Sequence, residues 1–213
     1  MINENSKRSL YLRITLISLI TIAIGLLLWK FDFEILFFIK DHVRNGFLDV
    51  VVPFYTNLGD DGIIWIALGI VLLIPKKTRK CGIMVLAALL VMLITNNIIL
   101  KNLIARPRPC ATYPELVELV KIPHSYSFPS GHTVSAMAVA FTVFFQNKKY
   151  GTVTLVLAFL MGLSRLYVGV HFPTDVFGGI IVGFAIAFAV YKTEKKVTPL
   201  VSSTFERIKN KKS

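Results

Sequence analysis

The chain has 213 residues, 54% of them hydrophobic, with a formal net charge of +12 and a mean hydropathy of +0.66. This composition excludes an ordinary soluble domain, and the uncharged run ITLISLITIAIGLLLW at 14–29 approaches the ~20 residues that cross a hydrocarbon core. The apolar runs lack the period-two alternation of a closed barrel, so the expected fold is all-α: a polytopic six-transmembrane-helix bundle forming one domain over 1–213.

Spans are predicted at about 11–29, 62–75, 82–100, 132–147, 151–167 and 174–191 from the apolar runs. Lys7, Arg8 and Arg13 precede the first as in a signal peptide. No small-residue cleavage pattern follows, however, and Trp29-Lys30 reads as an interfacial anchor, so this helix is expected to be retained. Residues 33–40 then read as a short amphipathic helix in the outer interface, with Asn45-Gly46 as a turn before a second helical piece. Packing on the bundle and a gate for lipid entry are both open roles for this segment. Cys81 and Cys110 lie at opposite ends of the third span. At ~1.5 Å per residue they are roughly 30 Å apart, too far to bridge, and metal-type cysteine spacing is absent. The external loop 101–131 carries Pro107, Pro109, Pro114, Pro123 and Pro129, and its length favours a functional segment.

Segments 1–13, 76–80, 146–150 and 192–213 fall on one side of such a bundle. They hold 16 of the 24 Lys and Arg against three acids, a balance of +13, and leave the other side at −1. The positive-inside rule therefore places both termini in the cytoplasm and makes nucleic-acid binding an unnecessary explanation of the charge. Residues 192–213 become a basic cytoplasmic tail, either solvated or touching anionic headgroups.

Three polar clusters lie beside the apolar spans, all on the side assigned outward. Charges at such depth are costly and usually mark a site or pair with one another. In KNLIARPRP (101–109) the prolines should stop the helix near Ala105 and leave Arg106 and Arg108 extended. Lys101, Arg106 and Arg108 are compatible with snorkelling at a span end, but the charge rule predicts few such residues outside. In HSYSFPSGH (124–132), Ser130, Gly131 and His132 open a helix whose free amides suit a phosphate, although a simple capped helix start has the same pattern. In SRLYVGVHFPTD (164–175), Pro173 fits a first helical turn and Asp175 is four residues from His171. A carboxylate there fixes the imidazole tautomer and frees the other nitrogen as a nucleophile; an Asp that caps a helix beside a water-facing His is the alternative. Arg165 adds a planar fork suited to phosphate oxygens. Together these residues assemble an anion pocket with two histidines and no acidic cluster of the kind that holds Mg²⁺ or Ca²⁺, so no metal and no cofactor are expected.

The three clusters, in order, resemble the signature of the type 2 phosphatidic acid phosphatase family, K-x6-R-P, then P-S-G-H, then S-R-x5-H-x3-D. Every fixed position is met within 101–175. The resemblance implies a metal-independent lipid phosphatase of the cell membrane. His171 would form a phosphohistidine, Asp175 would orient it, and His132 would protonate the leaving oxygen and then activate water. Lys101, Arg108, Ser130, Gly131 and Arg165 would bind phosphate. The six-residue spacing selects Arg108, leaving Arg106 as an auxiliary or a plain interfacial charge; His124 lies outside the pattern.

A pocket at the outer face meets lipid phosphates of the external leaflet, so undecaprenyl diphosphate is the first expected substrate. Phosphatidylglycerophosphate and phosphatidic acid are the alternatives. A non-catalytic lipid-phosphate or anion transporter is the competing class, although the internal repeats and paired broken helices typical of transporters are absent. Vanadate-dependent peroxidase chemistry, which resembles the family in the same motifs, fits poorly with six spans.

Overall fold

The charge-free run near the N-terminus forms α1 (Glu4–Lys30). Its apolar side chains, among them Leu16, Ile20 and Leu27, stand exposed along the helix, a surface that only lipid can cover. The computed structural model describes the backbone of residues 4–210, all of it helix, turn or coil with no strand among the described residues. Four helices are long and apolar enough to cross a membrane, or up to five when one bent pair counts as a single span. The molecule is a multi-pass membrane protein.

The aromatic segment after α1 folds into α2 (Asp32–Phe38), which continues as a π-helical turn at Ile39–Val43. Asn45 then caps α3 (Leu48–Asn57), its side-chain oxygen accepting from the Leu48 amide at 3.1 Å. Through a short 3₁₀ turn at Asp60–Gly62, α3 bends by 46° into α4 (Ile63–Leu73). The helix α2 is more than an interfacial float: it buries Leu36 and, unexpectedly, Asp32.

The third apolar run is helical from α5 (Arg79–Met92) through a π stretch at Leu93–Leu100 to α6 (Lys101–Ile104). It ends at Ala105, which is left-handed at φ 50°, as expected for a chain about to enter Arg-Pro-Arg-Pro. One turn of helix, α7 (Pro109–Thr112), follows.

At the centre stands α8 (Gly131–Gln146), with ten buried residues facing several neighbours. Its 16 residues rise only ~24 Å, short of the ~30 Å hydrocarbon core. Small side chains let its neighbours approach closely: Cβ atoms on Gly179 and Gly183 of α10 (Pro173–Asn210) would collide with Thr133 and with Met137 and the Ala138 backbone. Between α9 (Lys148–Tyr167) and α10 the chain reverses in five residues, using Gly169 at φ +80°. Arg44 locks this reversal by donating from Nε and Nη2 to the Tyr167 carbonyl, at 3.0 and 2.8 Å, a cation at a helix C-terminus. Burial lowers the Arg44 pKa, while Asp49, Tyr167 and Glu118 oppose the shift.

The last helix runs well past residue 191, with continuous helical backbone to Asn210. The basic side chains of the tail from residue 195 on, and with them the headgroup reading of that tail, lie outside the described residues. At the end of the bundle remote from residue 101, Glu194 pairs with Lys80 and accepts from Gln146. Cys81 and Cys110 are both free thiols.

Candidate active site

The three clusters meet at one end of the bundle, around the N-terminus of α8. Lys101, at the start of α6, is 5% exposed and donates from Nζ to Ser125 Oγ and to the Tyr126 carbonyl, both at 2.8 Å. The extended backbone at Arg108 turns its side chain inward. There Nε donates to the carbonyls of Pro123 (3.1 Å) and Ser125 (2.9 Å), and Nη1 to that of Val170 (2.8 Å). Both cations thereby shape the proline-rich loop around themselves. A Cβ on Gly131 would sit 3.9 Å from Lys101 Cε and 3.7 Å from the Asn96–Asn97 side-chain pair of the π stretch. Ser130 caps α8, accepting from the Thr133 amide at 3.5 Å and the Thr133 hydroxyl at 3.0 Å.

His171 sits on the connection between α9 and α10 and is 2% exposed. Its Nδ1 faces Asp175 Oδ2 and Ser127 Oγ, each at 3.4 Å, while Nε2 lies 3.2 Å from Arg108 Nη1. A proton on Nδ1 satisfies the carboxylate, and the Nε2 lone pair then points toward the cations. Burial, and after it Arg108, Arg165 and Lys101, hold the imidazole pKa well below its ordinary value of 6.5. A neutral ring whose Nε2 lone pair faces the cations that would hold a phosphate is what nucleophilic attack there requires.

His132, in the first turn of α8, presents Nε2 to Asp60 Oδ1 at 3.0 Å and to Arg165 Nη1 at 3.5 Å. The two imidazoles lie within electrostatic range of each other and of Arg165. Arg165 is 1% exposed and donates from Nη1 to Thr56 Oγ1 at 2.8 Å, but its buried Nε has no protein partner. A buried guanidinium N–H without an acceptor calls for a ligand to supply one.

Every residue singled out from the three motifs is therefore at this one locus, except that Arg106 plays a part its sequence position did not reveal. It donates from Nη1 to Asp175 Oδ1 at 2.7 Å and from Nη2 to Asp32 Oδ2 at 2.7 Å, its guanidinium stacked 4.0 Å from the Phe172 ring centre. His124 stays exposed in the loop. Sequence reasoning missed Asp32, Thr56, Asp60 and Ser127. The available signal for the first three was a set of acidic and polar residues in a segment otherwise rich in aromatic and aliphatic side chains. Among the described residues no three His, Cys, Asp or Glu side chains converge as a metal site would need.

Residues 81–199 match the family model for the PAP2 superfamily. The chain belongs to the PAP2 superfamily. It is 32% identical over 151 residues to the bacitracin transport permease protein BcrC of Bacillus licheniformis, covering 69% of this chain and 74% of that one. It is 31% identical over 177 residues to undecaprenyl-diphosphatase BcrC of Bacillus subtilis strain 168, covering 79% and 88%. Among solved structures it is similar to the crystal structure of Aquifex aeolicus LpxE, with a TM-score of 0.63 and 29% identity over 76% of this chain and 94% of that one. The PAP2 match contains all three clusters, whereas Asp32, Thr56 and Asp60 precede it.

Proposed function

We propose that this PAP2 protein hydrolyses a lipid diphosphate, undecaprenyl diphosphate first among candidates, at the outer leaflet and without a metal. It is a lipid phosphatase. The observation that carries the mechanism is the partnerless Nε of buried Arg165 beside two histidines, Arg108 and Lys101. These groups take the role a metal plays in other phosphoryl transfers, holding the equatorial oxygens of the transferring group together with the first amides of α8.

His171 Nε2 gives its lone pair to phosphorus, and the bond from phosphorus to the leaving oxygen breaks. Asp175 holds the Nδ1 proton and balances the positive charge that grows on the ring. His132, protonated at Nε2 beside Asp60, passes that proton to the leaving oxygen. Neutral His132 then accepts a proton from water, whose oxygen attacks phosphorus as the N–P bond breaks; phosphate leaves and both rings return to their starting forms.

The B. subtilis relative named an undecaprenyl-diphosphatase supports the isoprenoid diphosphate as substrate. Phosphatidylglycerophosphate and phosphatidic acid are the competing substrates. The six spans rest on the apolar runs and the single domain over 1–213 on a sequence free of repeats and low-complexity linkers, while the outward site and cytoplasmic termini rest on the lopsided distribution of Lys and Arg between the two faces. The name of the B. licheniformis relative makes transport without hydrolysis the reading to test against. The experiment is phosphate release from lipid substrates in detergent with excess EDTA, for the wild type, His171→Ala and His132→Ala. EDTA leaves the rate unchanged, and each variant loses at least ~10²-fold, the scale of removing an acid–base or nucleophilic group. Lipid movement without phosphate release, or a rate abolished by EDTA, overturns the proposal.

A further inference from the structure

Asp32 is a carboxylate with 0% exposure, in a short helix that belongs to none of the three motifs. An unpaired charge so buried is expensive, and its cost falls only when every oxygen is hydrogen-bonded. Asp32 meets that condition at one place, the start of α10. Its Oδ1 accepts from the Thr174 amide at 2.9 Å, and its Oδ2 from Thr174 Oγ1 at 2.6 Å and Arg106 Nη2 at 2.7 Å. The residue thus caps a helix 142 positions away, satisfying an amide that has no partner inside its own helix.

The same Thr174 hydroxyl accepts from Arg106 Nη1 at 2.6 Å, and that nitrogen also reaches Asp175 Oδ1 at 2.7 Å. Arg106 is therefore gripped by Asp32 on one nitrogen while it grips Asp175 with the other, and the Phe172 ring closes its open face. With Oδ1 so engaged, Asp175 has one oxygen left to turn to His171, and Oδ2 makes that contact along with Ser127 and the Phe172 amide. Arg106 alone would offset the charge of Asp175. Asp32 takes half of that guanidinium, so the three-residue chain keeps a net charge of −1 beside the ring.

We propose that Asp32 and Arg106 are positioning residues of the phosphoryl transfer, a relay that runs from the helix after the first span to the Asp175 oxygen that orients His171. The proposal rests on His171 being the nucleophile, as argued above. It gives α2 a role in the reaction: the helix anchors the orienting carboxylate as well as packing on the bundle.

The test uses the full-length protein in detergent micelles, with phosphatidic acid and farnesyl diphosphate as substrates, for the wild type, Asp32→Asn, Arg106→Lys, the double variant of these two, and His171→Ala as the control for the nucleophile. Rates are expressed per folded molecule, taken from the monodisperse peak in size-exclusion chromatography, so that a variant with poor yield is still informative. Each single variant lowers kcat about 10-fold or more, the scale of losing a buried hydrogen bond to a charged group, and leaves KM within about twofold. Because the two residues act as one unit, the double variant is no slower than the worse single variant. Unchanged kcat per folded molecule in either single variant, with or without reduced yield, overturns the proposal, as does a double loss equal to the product of the singles. An inactive wild type, or an active His171→Ala, removes the nucleophile and overturns this inference together with the reading beneath it. A normal wild type and dead His171→Ala alongside a fully active Asp32→Asn overturns the inference alone.

Discussion

Replacing Asp175 by Asn removes one charge and one acceptor from the most heavily subscribed carboxylate in the molecule. Its oxygens accept from Arg106 Nη1 at 2.7 Å, from the Phe172 amide at 2.8 Å and from Ser127, and face His171 Nδ1 at 3.4 Å. An amide offers a single oxygen. If that oxygen stays with Arg106, the new NH₂ opposes the Phe172 N–H and His171 Nδ1; if it turns to Phe172, the NH₂ meets the guanidinium. Either orientation loses at least one charge-assisted bond, so the variant should be about 2 kcal/mol less stable. The catalytic loss is larger. An NH₂ beside Nδ1 favours the tautomer with its proton on Nε2, the atom that attacks. The same carboxylate-to-amide change in a Ser-His-Asp triad costs on the order of 10⁴ in kcat, and about 10³-fold or more is expected here. The assay pairs phosphate release at saturating lipid with thermal unfolding followed by size-exclusion chromatography. A variant within about threefold of wild-type kcat would refute the assignment of Asp175 as the group that sets the His171 tautomer.

Three further outcomes follow from the structure. His171 has a folded pKa below its unfolded 6.5, so the unfolded chain alone takes up that proton as pH falls. Its contribution is intact above 6.5 and lost below it. The unfolding midpoint should therefore fall less between about pH 8 and about pH 5.5 in His171→Gln than in the wild type, and equal falls would contradict this. A Cβ on Gly151 would lie 2.1 Å from Phe144 Cα, in backbone that cannot move aside; Gly151→Ala should cost about 1–3 kcal/mol or more by overpacking, read as a lower unfolding midpoint. In a background without Cys81 and Cys110, an impermeant thiol reagent on intact cells should label Tyr113→Cys and spare Lys77→Cys. The reverse pattern would move the pocket to the cytoplasmic face.

How much of this was legible depended on the kind of signal each residue gave. The prolines at 107 and 109 announced the helix end at Ala105, and Pro173 announced the start of α10, because each constrains its own backbone. Lys101, Arg108, His132, Arg165 and His171 were readable because local spacing brings them to the same ends of adjacent spans. Asp32, Thr56 and Asp60 were not, since their partners Arg106, Arg165 and His132 lie 74, 109 and 72 positions away and no periodicity links them. Asp32 belongs to none of the three motifs, and only the folded chain brings it against Thr174. The π stretch at Leu93–Leu100 had a clue in Asn96-Asn97, two amides in a lipid-length run. Helix α8 was the inverse case: its composition resembles a lipid-facing span, but its small residues put it at the centre of the bundle.

The most direct measurement is a structure of the protein with orthovanadate bound, since vanadium adopts the five-coordinate geometry of a phosphoryl group in flight. Vanadium should bond to His171 Nε2, with an apical oxygen facing His132 and equatorial oxygens on Lys101, Arg108 and Arg165 Nε. Vanadate bound elsewhere, or lodged in this pocket with His171 Nε2 turned away, would contradict it.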